Sequence, residues 1–215
     1  ACLYCALALN LPWYVCFVAA VAAGALLGSI SGILKACCNV NEVISCIMLN
    51  WISLYIVNMV LTGVKEQSTP YTRPLSSVNK SALVPTLGLD KMFSNNEFVT
   101  LGVPLAVVMA IVIWVLLEKT KFGYELKATG LNKNAAKYCG MHEKTNIILT
   151  MVIAGGLAGF GAGIFYLSGI EQWMVQQTSV PAMGFNGIAA AFLGGLNPIG
   201  TIFSSYFIQH ITSGG

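Results

Sequence analysis

The sequence predicts an all-α fold, a polytopic transmembrane helical bundle with a broken or re-entrant helix near residues 185–211. Hydrophobic residues make up 56% of the 215 residues and charged residues only 9%, and the mean hydropathy is +0.75. A soluble domain carries about 25% charged residues, so the composition excludes an ordinary soluble fold. The net charge of +3 is small, and we interpret it as membrane topology with no nucleic-acid partner.

Four uninterrupted apolar runs are long enough to cross a bilayer. The hydrocarbon core is about 30 Å thick, and a helix rises about 1.5 Å per residue. The predicted spans are residues 13–34, 43–62, 99–117 and 146–168. The apolar stretch 1–9 is expected to end a further span, so we expect residues 1–215 to form a single transmembrane domain within a longer chain.

A fifth apolar region, residues 185–211, is interrupted by the sequence Gly194-Gly195-Leu196-Asn197-Pro198. Two glycines and a proline cannot continue a regular lipid-facing helix without freeing backbone hydrogen-bonding groups. We therefore predict two shorter helices around a break that protein or water shields. Broken helices at membrane depth often line a transport pathway.

The distribution of lysine and arginine predicts the orientation of the spans. If the spans alternate in direction, Lys35 and loop 118–145 share one side, and loop 63–98 lies on the other. The first side carries seven basic residues: Lys35, Lys119, Lys121, Lys127, Lys133, Lys137 and Lys144. The second carries four: Lys65, Arg73, Lys80 and Lys91. The excess makes 118–145 cytoplasmic and 63–98 extracytoplasmic.

Glycines recur every fourth residue in two of the predicted spans. One stripe is Gly24, Gly28 and Gly32, and the other is Gly155, Gly159 and Gly163. Such stripes let neighbouring helices approach at backbone distance. Close packing is the simpler interpretation, and a seam that slides during transport is the functional alternative.

Residue patterns for catalysis or metal binding are missing from the sequence. Cys2 and Cys5 form a C-x-x-C pair without a second pair or a neighbouring histidine, which is weak evidence for a metal site. His142 and His210 stand apart from any acid or nucleophile pattern, and no phosphate-binding loop of the G-x-x-x-x-G-K-[ST] type occurs. We therefore expect no catalytic residue, metal or cofactor in this chain, which disfavours a membrane-embedded enzyme.

The predicted cytoplasmic loop carries a long motif. It runs from Thr120 through Phe122-Gly123 and Leu126-Lys127-Ala128 to Gly130, Asn132, Asn134, Ala135, Ala136, Gly140 and Met141. This spacing resembles the coupling loop of ABC importer permeases of the ribose and branched-chain amino acid type, close to T-x-F-G-x-x-L-R-A-x-G-x-N-x-x-A-A-x-x-x-G-I. Lys127 replaces the usual arginine, and Met141 replaces the isoleucine.

The resemblance implies that a short helix in this loop docks on a cytoplasmic ABC ATPase, which binds the ATP. We expect that helix over residues 134–139, with Asn132 as its cap. The implied coupling residues are Ala128, Gly130, Asn132, Asn134, Ala135, Ala136, Gly140 and Met141.

Two further segments narrow the resemblance to the nucleoside, or simple sugar, permease branch. Residues 41–52 are similar to that branch's V-N-E-V-I-x-T-I-M-L-N-[WY]-I, with Cys46 in place of threonine. Residues 184–200 are similar to its G-F-D-G-I-A-V-A-L-L-G-x-x-x-P-x-G, with Asn186 in place of aspartate.

The resemblance implies a permease subunit of an ATP-driven importer for nucleosides, in a bacterial cytoplasmic membrane. Its implied partners are the ATPase, a second, related permease chain, an extracytoplasmic solute-binding lipoprotein and membrane lipid. A permease for a simple sugar or related small solute is the alternative. A secondary carrier or channel is a further one, but it leaves the matched cytoplasmic loop unexplained.

Polar and aromatic residues in apolar surroundings are the candidates for lining the solute pathway. They are Asn50, Trp51, Asn58, Phe185, Asn186 and Asn197. An aromatic ring can stack on a nucleobase, and an asparagine amide can both donate to and accept from its edge. The alternative role for each asparagine is a hydrogen bond between helices.

Overall fold

The computed structural model describes residues 1–66, 69–85, 100–169, 171–181 and 183–214, and these residues are predominantly helical. The helices are α1 Cys2–Leu7, α2 Trp13–Cys38, α3 Glu42–Leu61, α4 Leu75–Val78, α5 Gly102–Lys119, α6 Lys121–Leu131, α7 Lys133–Tyr138, α8 Glu143–Leu167, α9 Met183–Leu193 and α10 Pro198–Gly214. In the described ranges, extended pairing is confined to the antiparallel bridges Lys65–Thr72 and Tyr71–Met174.

Helices α2, α3, α5 and α8 are long and apolar enough to cross a membrane. They confirm the four predicted spans, with ends that differ by a few residues. One predicted end, Val99, lies outside the described residues. Helix α3 begins where Asn41 caps it, because the Asn41 side chain accepts a hydrogen bond from the Val43 amide at 2.9 Å.

The chain divides into two compact units. The first contains Ala1–Gly102 and His142–Thr178, and the second contains Val103–Met141 and Ser179–Gly215. The expectation of one transmembrane domain over residues 1–215 stays a prediction. Residues 67, 68 and 86–98 of the expected outer loop, 63–98, lie outside the described residues.

The two glycine stripes of the first unit face each other across the antiparallel helices α2 and α8. A Cβ atom on Gly24 would collide with the carbonyl oxygen of Gly155, and one on Gly155 would collide with that of Gly24. A Cβ atom on Gly28 would collide with the Met151 carbonyl oxygen. Backbone touches backbone along this seam, which favours weak Cα–H···O contacts between the helices. The predicted close packing is confirmed.

The buried core of the first unit lies at one end of its long helices. It joins α1 to the start of α2 and the ends of α3 and α8, with Leu75, Ala82 and Val175 above them. Backbone hydrogen bonds hold the connecting segments together, including Thr72 N–H to the Trp173 carbonyl at 2.9 Å and Val84 N–H to the Leu167 carbonyl at 3.0 Å. The lysine count predicts that this end is extracytoplasmic, and we call it the outer cap.

Helices α9 and α10 of the second unit form a hairpin around the predicted break. The Leu196 and Gly195 amides donate back to Ala191 and Phe192, and Gly195 has a positive φ of 66°, which is a Schellman ending. The Ser204 hydroxyl donates to the Ala190 carbonyl at 2.6 Å and ties the two helices together. The 11 residues of α9 rise only about 17 Å, so this segment is a broken helix, as predicted.

Candidate functional site

A cleft of about 440 Å³ opens between α2, α3 and α8 in the first unit. Each helix contributes four lining residues: Gly24, Leu27, Gly28 and Ser31 from α2, Cys46, Leu49, Asn50 and Ser53 from α3, and Met151, Ala154, Gly155 and Ala158 from α8. The α3 residues are spaced by three or four, so they form one helical face. Small residues dominate the α2 and α8 walls, and the polar side chains are concentrated on α3.

Two polar side chains in this cleft, those of Asn50 and Ser53, differ from the neighbouring serines in their hydrogen bonding. Among the described residues, none forms a hydrogen bond with the Asn50 amide or the Ser53 hydroxyl. The Ser31 and Ser45 hydroxyls, by contrast, donate to helix carbonyls at 2.9 and 3.1 Å. Asn50 was a candidate from the sequence, whereas Cys46 and Ser53 were missed. Cys46 lies four residues before Asn50 and Ser53 lies three residues after it, so all three share one helical face. This spacing was the signal that could have identified them.

The other two α3 candidates lie off this cleft. Trp51 follows Asn50 by about 100° around the helix and is not part of the lining. Asn58 is engaged in the outer cap: its Nδ2 donates to the Gln177 carbonyl at 2.9 Å, and its Oδ1 accepts from Trp173 Nε1 at 3.0 Å. The Asn58 side chain therefore anchors the segment after α8 to the end of α3.

The three candidates near the broken helix belong to the second unit. Phe185 and Asn186 lie in the first two turns of α9 and are exposed. Asn197 caps α10, because its Oδ1 accepts from the Ile199 amide at 3.0 Å. The structure thus distributes the six pathway candidates over two units, and it gives Asn58 and Asn197 hydrogen-bonded roles.

A sharp corner joins α5 to α6 at the start of the predicted coupling loop. Thr120 caps α6 by accepting from the Gly123 amide at 3.1 Å. A Cβ atom on Gly123 would collide with the Leu116 carbonyl oxygen, so the corner requires glycine there. Lys127 closes the corner through an ion pair with Glu118. The T-x-F-G start of the motif therefore has a local structural reason.

The short helix of the loop, α7, has strong signals at both ends. Asn132 caps it by accepting from the Asn134 and Ala135 amides, both at 3.1 Å, as predicted. At the other end Gly140 has a φ of 78°, and the Gly140 and Met141 amides donate to Lys137 and Ala136 at 3.0 Å. This second Schellman ending fixes α7 as Lys133–Tyr138.

The predicted coupling residues differ in their exposure. Gly130, Asn132, Asn134, Ala135 and Gly140 are exposed, Ala128 and Met141 are half-buried, and Ala136 is buried, with 3% of its surface exposed. Two large apolar side chains that the motif did not single out, Leu131 and Tyr138, are 89% and 93% exposed. Large apolar residues inside a polar loop were the available signal for them. We call α6, α7 and their connection the polar corner.

Comparison with known proteins gives a consistent result. The family profile described as branched-chain amino acid transport system / permease component matches residues 1–215. The nucleoside ABC transporter permease protein NupB of Lactococcus lactis subsp. cremoris is 35% identical over 89% of this chain and 53% of its own length. The guanosine ABC transporter permease proteins NupP and NupQ of Bacillus subtilis are 32% and 26% identical, over 92% and 91% of this chain and 55% and 60% of their own lengths.

The chain spans about half the length of NupB and NupP. No solved structure gives a significant match.

Proposed function

Because this chain belongs to the branched-chain amino acid transport system / permease component family, we propose that it is a membrane-spanning permease subunit of an ATP-driven ABC importer for nucleosides. The similarity to a nucleoside and a guanosine permease over about nine tenths of the chain carries this proposal. The chain is a multi-pass protein of the cytoplasmic membrane, with four helices of membrane-spanning length. Its exposed apolar helix faces are suited to lipid and to other subunits.

The polar corner is the proposed docking site for a separate cytoplasmic ATPase. That partner binds the ATP, so this chain is proposed to need no cofactor of its own. Gly130, Asn134 and Ala135 are exposed there, so they are available for direct contact. Four other coupling residues are proposed to act through the conformation of α7: Asn132, Ala136, Gly140 and Met141. Ala128 is proposed to support the polar corner. Six lysines against three glutamates in residues 118–145 suit an acidic partner surface.

Two further partners complete the proposal. NupP and NupQ of one organism both match this chain, which supports a second permease that is related but different. The outer cap is the proposed surface for an extracytoplasmic solute-binding lipoprotein, because the lysine count predicts that this end of the first unit faces outward. The solute pathway is proposed to involve Asn50 and Trp51 of the first unit and Phe185 and Asn186 of the second. Asn58 and Asn197 are proposed to hold neighbouring segments of their own units in place.

Uptake by reconstituted vesicles tests the proposed function. We expect vesicles that contain the full-length chain, the second permease and the ATPase, supplied with the binding protein and internal ATP, to accumulate a labelled nucleoside. Unlabelled nucleosides should compete, and ribose or glucose should not. Sugar uptake without nucleoside competition would replace the nucleoside assignment with a sugar one. Uptake that persists without ATP would refute the importer itself.

A further inference from the structure

We infer that Cys5 and Cys16 of the outer cap form a modification site, at which a low-molecular-weight disulfide on the extracytoplasmic side converts the two thiols into a disulfide bond. This bond joins α1 to the first turns of α2. The inference concerns the outer cap alone and is independent of which solute the chain transports.

Three of the seven cysteines of the chain meet in the outer cap. Cys2 and Cys16 belong to its buried core, and Cys5 packs against that core. Cys2 and Cys5 are three residues apart on α1 and share one helical face, whereas Cys16 lies near the start of α2. All three are free thiols. Two helices therefore contribute thiols to one small apolar cluster.

One residue of the connecting segment, Leu11, is hydrogen-bonded to both Cys5 and Cys16. The Leu11 amide donates to the Cys5 carbonyl at 3.3 Å, and the Leu11 carbonyl accepts from the Cys16 Sγ at 3.5 Å. Among the titratable groups of the described residues, Cys5 interacts most strongly with a charge on Cys16, followed by Cys2. The turn between α1 and α2 therefore makes Cys5 and Cys16 neighbours.

Helix geometry disfavours the alternative pair, Cys2 and Cys5. Residues three apart on a helix have Cβ atoms about 5–6 Å apart, whereas a disulfide needs Cβ atoms about 3.5–4.5 Å apart. A bond between Cys2 and Cys5 would therefore distort α1. A bond between the two helices needs only a small adjustment of the connecting segment.

The two thiols differ in their access to solvent, and this difference determines the order of the reaction. Cys5 is half-buried and lies one turn before the exposed residues 8–10. Cys16 is completely buried, with 0% of its surface exposed. A dissolved disulfide can therefore reach Cys5 but not Cys16, so Cys16 reacts only with a group that is already attached to Cys5.

The reaction is a double thiol–disulfide exchange. The Cys5 thiolate attacks one sulfur atom of oxidised glutathione, the S–S bond breaks, and one glutathione leaves as a thiolate. The Cys16 thiolate then attacks the Cys5 sulfur atom of the mixed disulfide and displaces the second glutathione. Two electrons and two protons pass from the two cysteines to the reagent, which is reduced to two glutathione thiols.

The predicted location of the outer cap favours this oxidation. Disulfides form and persist on cell surfaces and in the periplasm, but thiols stay reduced in the cytosol. The lysine count predicts that the outer cap lies on the extracytoplasmic side. Cys37 and Cys38 lie at the opposite end of α2 and are exposed, so the same count predicts that they face the cytoplasm. They are the comparison pair within the same chain.

Oxidation of the full-length chain from one side of the membrane at a time tests the site. Right-side-out and inside-out membrane vesicles are treated with oxidised glutathione, which does not cross the membrane, and the remaining thiols are alkylated. Chymotryptic peptides are then analysed by mass spectrometry without reduction. Chymotrypsin cleaves after Trp13 and Tyr14, between the two cysteines, so only a disulfide keeps the Cys5 and Cys16 peptides together.

We expect linked Cys5 and Cys16 peptides from right-side-out vesicles, and dithiothreitol should separate them. Inside-out vesicles should yield glutathione on Cys37 or Cys38 and no linked Cys5 and Cys16 peptides. The absence of the linked peptides from right-side-out vesicles would refute the inference. Their formation in inside-out vesicles alone would refute it as well, because the site would then face the cytoplasm.

Alanine variants test the order of the two steps and keep the buried positions apolar. Cys16→Ala should stop the reaction at the mixed disulfide, so that Cys5 keeps one glutathione. Cys5→Ala should slow the modification of Cys16 at least about tenfold, because buried thiols are inert to dissolved reagents. Cys2→Ala is the matched control, since it removes a thiol of the same cluster and should leave the linked peptides unchanged. Loss of the link in Cys2→Ala, or unchanged modification of Cys16 in Cys5→Ala, would show that the assigned pair is wrong.

Discussion

Replacing Gly155 by leucine is expected to prevent α2 and α8 from packing, so that the full-length chain no longer yields a stable, monodisperse protein. Even the single methyl group of Gly155→Ala would collide with the Gly24 carbonyl oxygen and lie 3.0 Å from the Gly28 Cα atom. Overpacking of this kind costs about 1–3 kcal/mol, because two backbones must separate. Thermal unfolding of the purified protein in detergent, followed by size-exclusion chromatography, measures the loss.

Two other glycines of α8 supply matched controls for Gly155→Ala. A Cβ atom on Gly156 would meet only Val21 and Ala25 side-chain atoms, at 3.8 and 3.9 Å, and one on Gly161 would meet nothing within 4 Å. Alanine is the better helix former by about 1 kcal/mol, so Gly161→Ala should be neutral or stabilising. Equal stability of the Gly155→Ala and Gly161→Ala proteins would show that the backbones of α2 and α8 do not pack closely at Gly155.

Replacing Leu131 and Tyr138 together by aspartate is expected to release the ATPase from the permease and to abolish ATP-driven uptake. Both side chains are almost fully exposed in the polar corner, so their removal leaves the fold intact. Buried apolar and aromatic anchors each contribute about 2 kcal/mol or more at protein interfaces. Their loss should weaken docking by at least about a hundredfold. Co-purification of the ATPase and substrate-stimulated ATP hydrolysis measure the effect.

Conservative changes at the same positions are the controls. Leu131→Met and Tyr138→Phe keep the apolar contacts, so they should retain both co-purification and uptake. The aspartate variant should still insert and purify like the unaltered chain. Full uptake by the aspartate variant would mean that the ATPase docks elsewhere on the cytoplasmic side.

Several local features could be predicted from the sequence because short segments determine them. The α7 helix was anticipated to within one residue, since an asparagine cap at Asn132 and a glycine ending at Gly140 act over a few residues. The break at residues 194–197 followed from the same local chemistry. The coupling motif itself was recognised as a pattern, but the pattern did not separate Ala136, which is buried, from Ala135, which is exposed. That difference depends on how α7 packs on α6.

The pathway candidates illustrate the opposite case. Asn50, Asn58 and Asn197 look alike in the sequence, as single amides among apolar neighbours. In the structure Asn58 pairs with Trp173, which is 115 residues away along the chain, and Asn197 caps its own helix. Only Asn50 of these three faces the cleft. The partner of Asn58 is too distant to leave a local pattern, whereas the capping role of Asn197 is local and was not assigned from the sequence. Composition therefore identified all three asparagines as candidates but could not distinguish their roles.

The sequence by itself determined the membrane class, the four spans, the broken helix and the family, because hydropathy, capping residues and motif spacing are properties of consecutive residues. Both glycine stripes were also visible in the sequence, but the sequence did not show that the two stripes contact each other. The tertiary structure decided that α2 and α8 meet along those stripes and that their small residues leave a cleft beside α3. The physical reason is that a cleft and a seam depend on which helix faces come together. For α2 and α8 that pairing is determined by contacts between residues more than 100 positions apart.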